Sequence, residues 1–167
     1  NSLGNLLAPM LVEMTERGPD SASFAVYGLP PPQNHIKLTL SSAGDACDWP
    51  LVAAGLEQLL DMKVEYFVRA NHAVFVVPGY EVCIREYLAA HHPGLHITSI
   101  GSHLEVYKEA GLPAAVAARF GFDGMVGTHA IGHTRMATES GISGKHSPPF
   151  CAARDFALVH NGSLSNH

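Results

Sequence analysis

Charge is scarce in this chain of 167 residues: Asp, Glu, Lys and Arg together make up 15%, against roughly 25% in ordinary soluble domains. What charge there is leans acidic, with 10 Lys and Arg against 15 Asp and Glu and a formal net charge of −5. A protein that binds by neutralising phosphates needs a basic stripe to release counterions, so nucleic acid is excluded as the main partner. Hydrophobic runs are short as well. The longest, such as Ala73-Val74-Phe75-Val76-Val77, fall far below the ~20 residues of a membrane-spanning helix. No secretory leader pattern is visible. Cysteine is rare: Cys47, Cys83 and Cys151 are odd in number, widely spaced and form no CxxC. That excludes a disulfide framework and a zinc ribbon, and makes a reducing, cytoplasmic setting the expectation. The remaining bulk, 47% hydrophobic, is enough to bury much of the surface, in part against partner subunits.

The length suits one domain, or one domain carrying an insertion. The chain starts at Asn1 and stops at His167 just after the turn-forming Asn161-Gly162-Ser163, ends that read as those of a piece of a longer polypeptide. Leu6, Leu7, Met10, Leu11 and Met14 recur at helical spacing, with Pro9 expected in the first turns and Gly18-Pro19 closing the helix. Ser23 to Tyr27 reads as a strand, followed by a Pro30-Pro31-Pro32 linker. From there the pattern predicts strand (35–40), helix capped by Asp48, strand (64–68), strand (73–77), helix (80–91) and strand (95–100). That order, β-α-β-β-α-β, is the ferredoxin-like arrangement. Residues 33–101 are expected to form a compact α+β unit whose core includes Leu56, Leu59, Phe67, Val74, Val76 and Leu88, with Val82 and Tyr87 beside Ile84 on the buried side of the second helix. Two short helices, 104–110 and 113–120, are predicted next, then an extended segment at 126–136 and a last strand at 156–160.

Eleven histidines invite a metal reading. His129 and His133, and His92 and His96, are four apart, but such a pair chelates zinc on a helix, and Gly132 with its neighbours predicts a strand while Pro93-Gly94 predicts a turn. No Cys or carboxylate completes either set, so no metal is expected. Gly101-Ser102 before the predicted helix offers backbone N–H groups to a phosphate; without GxGxxG or a P-loop lysine, a plain helix cap is the preferred reading. Cys83 falls in a helical apolar pattern and is expected in the core, Cys47 and Cys151 in loops. None has an evident activating partner, so all three read as incidental thiols rather than nucleophiles.

Three stretches carry the strongest signal: Arg17-Gly18-Pro19-Asp20-Ser21-Ala22, Gly132-His133-Thr134-Arg135-Met136-Ala137-Thr138, and His160-Asn161-Gly162. In this order they resemble the RG-x-DS segment, the GHTR-x-AT strand and the HNG turn of the class II glutamine amidotransferases, members of the N-terminal-nucleophile hydrolase superfamily. The likeness covers about residues 1–28 and 124–167, and is greatest to the stand-alone glutaminase subunits related to glutamate synthase and N-methylglutamate synthase. The chain is therefore expected to be α+β, a partial four-layer αββα glutaminase core (1–28 and 124–167) interrupted by an inserted subdomain (29–123).

The resemblance implies roles that the residue chemistry supports. Arg135, a guanidinium at a strand end, suits a bidentate grip on the α-carboxylate of glutamine, with Thr138 assisting; without the motif it would read as a surface ion pair. Asn161 and Gly162 set an amide and a backbone N–H side by side, as an oxyanion hole requires, although Asn-Gly is equally a hairpin turn. Arg17, Asp20 and His133, with His160, are expected to brace the site. The family's nucleophile is a cysteine at the mature amino terminus whose own α-amine is the base; the strand carrying it is expected upstream of Asn1, so the chain as it stands should not hydrolyse glutamine. Where the family has His-Pro before the last strand, Pro148-Pro149 stand here. The implied reaction yields glutamate and ammonia, the ammonia passing to a partner synthase subunit in a hetero-oligomer. No cofactor is expected in this chain, with FMN and iron–sulfur clusters left to partner subunits. The competing expectation is a non-catalytic subunit that binds a small ligand or serves structurally.

Overall fold

A computed structural model describes residues 2–136 and 147–161. Helix α1 (Leu3–Glu13) and a 3-10 turn (Thr15–Arg17) lead into strand β1 (Ser21–Tyr27). Because α1 begins at Leu3, Pro9 lies mid-helix, not in the first turns. Its buried edge is Gly4, Leu7 and Leu11, while Leu6, Met10 and Met14 face outward.

β1 is the centre of an antiparallel sheet ordered β6-β1-β7, with β6 at Leu104–Ala110 and β7 at His129–Arg135. The segment expected to form the first of two short helices is thus a strand, paired with β1 from Ser21↔Ala110 to Tyr27↔Leu104. Period two explains it. Leu104, Val106 and Lys108 lie on one face and Glu105, Tyr107 and Glu109 on the other, and Gly111, at φ +121°, ends the run. The second predicted helix stands, as α4 (Pro113–Arg119). α1 and α4 pack on one face of this sheet around Phe24, whose ring lies 4.3 Å from Phe122 and 5.1 Å from Tyr107.

Between β1 and β6 the chain builds β2 (His35–Ser41), α2 (Trp49–Leu60), β3 (Glu65–Arg69), β4 (His72–Pro78), α3 (Glu81–His91) and β5 (His96–Gly101), with sheet order β3-β4-β2-β5. This is the β-α-β-β-α-β sequence of elements that the periodicity predicts. The Asp48 carboxylate caps α2 by accepting the Leu51 N–H at 3.0 Å, also as expected. The core of this unit is different in detail. Ala73, Phe75 and Val77 face the helices, together with Leu56 and Leu88; Val74 belongs to the other core, Val76 is half-buried and Phe67 is 40% exposed. A strand that is apolar on both faces gives no parity to read. On α3, Ile84 and Leu88 are buried but Val82 is exposed.

The two sheets meet edge to edge. The free edge of β6 is satisfied by side chains: Ser99 accepts the Val106 N–H (3.0 Å), Thr98 donates to the Val106 carbonyl (2.7 Å), and His72 Nε2 accepts the Lys108 N–H (3.3 Å). A buried ion pair, Lys37 Nζ to Glu105 Oε1 at 2.5 Å, spans the same junction, and Tyr107 donates its hydroxyl to Glu105 Oε2 at 2.8 Å. Where the middle unit leaves and returns, Gly28 N–H donates to the His103 carbonyl at 2.9 Å.

The last described elements, β8 (Phe150–Ala153) and β9 (Phe156–Leu158), form a hairpin over the other face of the first sheet, where Ala157 packs with Ala25, Leu104 and Val106. At its turn Asp155, with φ +54°, accepts the backbone N–H groups of Ser102, His103 and Leu104 at 2.8, 2.6 and 3.0 Å. The expected phosphate cradle or helix cap at Gly101-Ser102 is therefore neither. No helix follows it, and a carboxylate of this chain occupies its donors.

Candidate active site

The RG-x-DS segment and the GHTR strand, 111 residues apart by the arithmetic 132 − 21 from Ser21 to Gly132, lie side by side. Ser21 is opposite Arg135, Ala22 opposite Thr134 and Ser23 opposite His133. Upstream of the strand, Pro19 continues against Arg135 and the Asp20 N–H donates to the Arg135 carbonyl at 3.1 Å. The Asp20 carbonyl in turn accepts the Gly111 N–H at 2.8 Å, so this backbone is held from both sides.

Two motif glycines have a steric reason. A Cβ on Gly18 would stand 2.5 Å from the Arg135 nitrogen, and one on Gly132 would stand 2.8 Å from Leu11 Cδ2. Gly132 is where α1 rests on β7; Gly18 is where the 3-10 turn passes under the strand end. Both are close approaches that a side chain would block.

Facing residues of an antiparallel pair share a face. One row therefore holds Ala110, Ser21 and Arg135, and the next holds Lys108, Ser23 and His133. These rows lie on the face that the β8–β9 hairpin covers, away from α1. His133 is half-buried, and burial, with the positive Arg135 nearby, pushes its imidazole below the ordinary histidine range. It is a neutral ring beside a guanidinium at neutral pH.

β9 runs toward the same end of the sheet. Its turn, at Asp155, sits by Leu104, whereas Leu158 is opposite Phe150, whose ring lies 5.3 Å from Lys108 Nζ. Asn161, three residues past Leu158, is exposed. The structure thus brings Arg17–Ser21, His133 and Arg135 together. Arg17 and His160 are exposed and Asp20 half-buried. Thr138 and Gly162 lie outside the described residues.

Other sequence candidates fall elsewhere. Cys83 is exposed on α3, not in the core, because that helix buries only the Ile84–Leu88 edge. Cys151 is half-buried on a strand rather than in a loop, and Cys47 lies in the loop before α2, where burial and then Asp48 push its thiol up. His129 and His133 both lie on β7, where four residues span roughly 13 Å, too far to share one ion. His129 stacks on Tyr27, ring centroids 4.0 Å apart. Three features escaped the sequence reading: the Asp155 anchor, the Lys37–Glu105 pair and buried His72. Only the first left a trace, the Arg154-Asp155 turn between two short apolar runs.

No family model matches the chain. Among curated proteins, it is 43% identical over 166 residues to the glutamine amidotransferase-like protein GlxB of Rhizobium meliloti (strain 1021), covering 99% of this chain and 54% of that protein. It is 29% identical over 180 residues to a putative glutamine amidotransferase of Methanothermobacter thermautotrophicus, covering 100% of this chain and 58% of that one. A third match, 36% over 88 residues, is to a glutamine–fructose-6-phosphate aminotransferase of Acidithiobacillus ferridurans, covering 53% of this chain and 13% of that protein. The chain spans about half the length of the first two relatives. With three motifs in the family's order, two of them paired strand to strand, and relatives named as glutamine amidotransferases or glutamine amidotransferase-like along its whole length, the chain belongs with the class II glutamine amidotransferases.

Proposed function

We propose that this chain forms part of a glutaminase, hydrolysing glutamine to glutamate and ammonia for a partner synthase of the glutamate synthase or N-methylglutamate synthase type. The observation that carries the reading is the pairing of Ser21 with Arg135, which puts the two motifs side by side, with the Asp20 N–H on the Arg135 carbonyl. Arg135 takes the α-carboxylate of glutamine through two parallel N–H donors, with Thr138 as a further contact. Burial holds His133 neutral, so it adds no second cation to the carboxylate site. Arg17 and Asp20 brace the junction of turn and strand.

Attack by a cysteine thiolate on the carboxamide carbon produces a tetrahedral oxyanion, held by the Asn161 side-chain amide and the Gly162 N–H. Collapse of the intermediate breaks the C–N bond and leaves a glutamyl thioester, and ammonia departs after receiving a proton from the base. Water then adds to the thioester and releases glutamate and the thiol. The thiolate is not assigned to Cys47, Cys83 or Cys151. The first two lie on the middle unit, and Cys151 is on the hairpin. It belongs, by the resemblance, to a cysteine at the mature amino terminus, whose α-amine takes the thiol proton.

Steady-state hydrolysis of glutamine by the full-length protein tests this. Arg135→Lys keeps the charge but not the fork, and should raise KM by roughly 30-fold or more, the equivalent of about 2–5 kcal/mol. Asn161→Ala should leave KM near wild type while kcat falls about 10²–10³-fold. Unchanged KM in the first variant, or undiminished kcat in the second, removes that residue from its role. Absence of glutaminase activity in the wild-type protein refutes the reading as a whole.

A further inference from the structure

Where the middle unit meets the first sheet, a cavity of about 570 Å³ opens between β5, β6 and β8, lined by Lys108, Thr98, Ser42, Arg85, Glu109 and Cys151 among others. That is within the roughly 300–1,000 Å³ of small-molecule sites. Two of its charged groups are already matched. Arg85 pairs with Glu81 at 2.9 Å, and Glu109 with Arg119 at 3.3 Å. Lys108 is the exception. Its Nζ donates to the Ser147 carbonyl at 2.7 Å and lies over the Phe150 ring at 5.3 Å, but among the described residues no carboxylate meets it. Burial alone pulls its amine from 10.5 down to about 8, with only the nearby Cys151 acting the other way. Burying an ammonium without a counter-charge is costly, and lysines are almost never fully buried unless paired.

We infer that this cavity binds a small monocarboxylate, with Lys108 as the cation that receives its charge. One ammonium balances a single negative charge, and the second charge of a phosphate dianion would be left on a wall that also holds Glu109, while Ile97, Ile100 and Phe150 suit the apolar part of a compact organic acid. Lys108 lies in one cross-strand row with Ser23 and His133, two strands or roughly 10 Å from the latter. The Lys108 N–H also anchors His72 of the middle unit. An acid bound here touches both units at once, beside the strand that precedes Arg135.

The test does not involve glutamine, so it stands or falls apart from the glutaminase reading. In the full-length protein, acetic anhydride labels neutral lysine amines, and mass spectrometry of the Lys108 peptide gives the rate at the pH where that amine is half-protonated. A bound carboxylate that restores Lys108 from about 8 to its ordinary 10.5 should cut that rate on the order of a hundredfold. Propionate and benzoate are the probes. Saturable protection by either, with none by the isosteric amides propionamide and benzamide and only weak protection by inorganic phosphate, supports the site. Lys108→Arg should retain carboxylate binding, read from NMR shifts of Thr98, and Lys108→Met should lose it. Failure of both acids to protect, equal protection by an amide, stronger protection by phosphate, or wild-type affinity in Lys108→Met overturns the proposal. The labelling needs no variant, so misfolding of a substituted protein leaves it decisive.

Discussion

His72 should make this protein sensitive to mild acid, to an extent that can be calculated. Its ring is fully buried, 5.2 Å from Phe120 and 5.6 Å from Tyr107, at the seam between the two sheets. Nδ1 lies 2.9 Å from the Asn71 side-chain oxygen and Nε2 accepts the Lys108 N–H. The neutral tautomer protonated on Nδ1 satisfies both contacts; a second proton on Nε2 would face a donor. Burial first, then the charges of Lys108 and Arg119, pull the pKa from 6.5 to about 3. The folded-state value is depressed, so the unfolded chain takes up the proton first, and stability present above pH 6.5 is lost as pH falls toward 3. The full difference corresponds to about 5 kcal/mol, and between pH 7.5 and 4.5 about 3 kcal/mol of it should be lost. His72→Gln offers an acceptor in a similar place and has nothing to titrate. Urea unfolding of both proteins at these two pH values isolates the histidine, because the carboxylates titrate alike in each. The wild-type protein should lose about 3 kcal/mol more than the variant. Equal losses would refute the argument that His72 is held neutral.

Two further predictions concern the joints between elements. Glu105→Gln strands the buried Lys37 ammonium and should lower unfolding free energy by about 3–5 kcal/mol, whereas replacing both partners by Met should cost far less, as urea unfolding of the single and double variants would show. Asp155→Ala leaves the N–H groups of Ser102, His103 and Leu104 without their acceptor; hydrogen exchange of these three amides should accelerate and stability fall by about 2 kcal/mol. Burial would raise the Asp155 carboxyl, but the three donors hold it below its ordinary 3.8, so its contribution should be full above 3.8 and be lost as pH falls from there through the depressed value.

Much of the architecture was legible wherever apolar spacing had one meaning. α2, with its Asp48 cap, and the alternation of β2 could be read directly, as could the order of the six elements from β2 to β5. β4 could not be assigned faces, since it is buried on both: Phe75 supplies one core and Val74 the other. β6 was misread because Leu104, Tyr107 and Lys108 also fit a helical turn, and its strand identity comes from a partner 83 residues earlier by the arithmetic 104 − 21. The candidate site was legible as motifs, Arg17–Ser21 and Gly132–Arg135, but not as a place. That the two motifs are neighbouring strands, and that Gly132 is small because Leu11 lies on it, depends on contacts that no local pattern encodes. Lys37, Glu105 and His72 look like surface residues in the sequence; only the meeting of two sheets buries them.

The short contact between Gly28 and His103 has a thermodynamic consequence for the middle unit. To the first sheet, β1 and β6 are a simple hairpin whose turn happens to hold 74 residues, the count from 103 − 28 − 1. Closing a disordered loop of that length in place of a four-residue turn would cost roughly 2–3 kcal/mol of chain entropy. A unit whose own fold brings its two ends to hydrogen-bonding distance removes most of that cost, because the ends arrive already joined. The sheet that carries Arg135 can therefore tolerate a folded unit of this size at that turn, or its exchange for another, without a change in register.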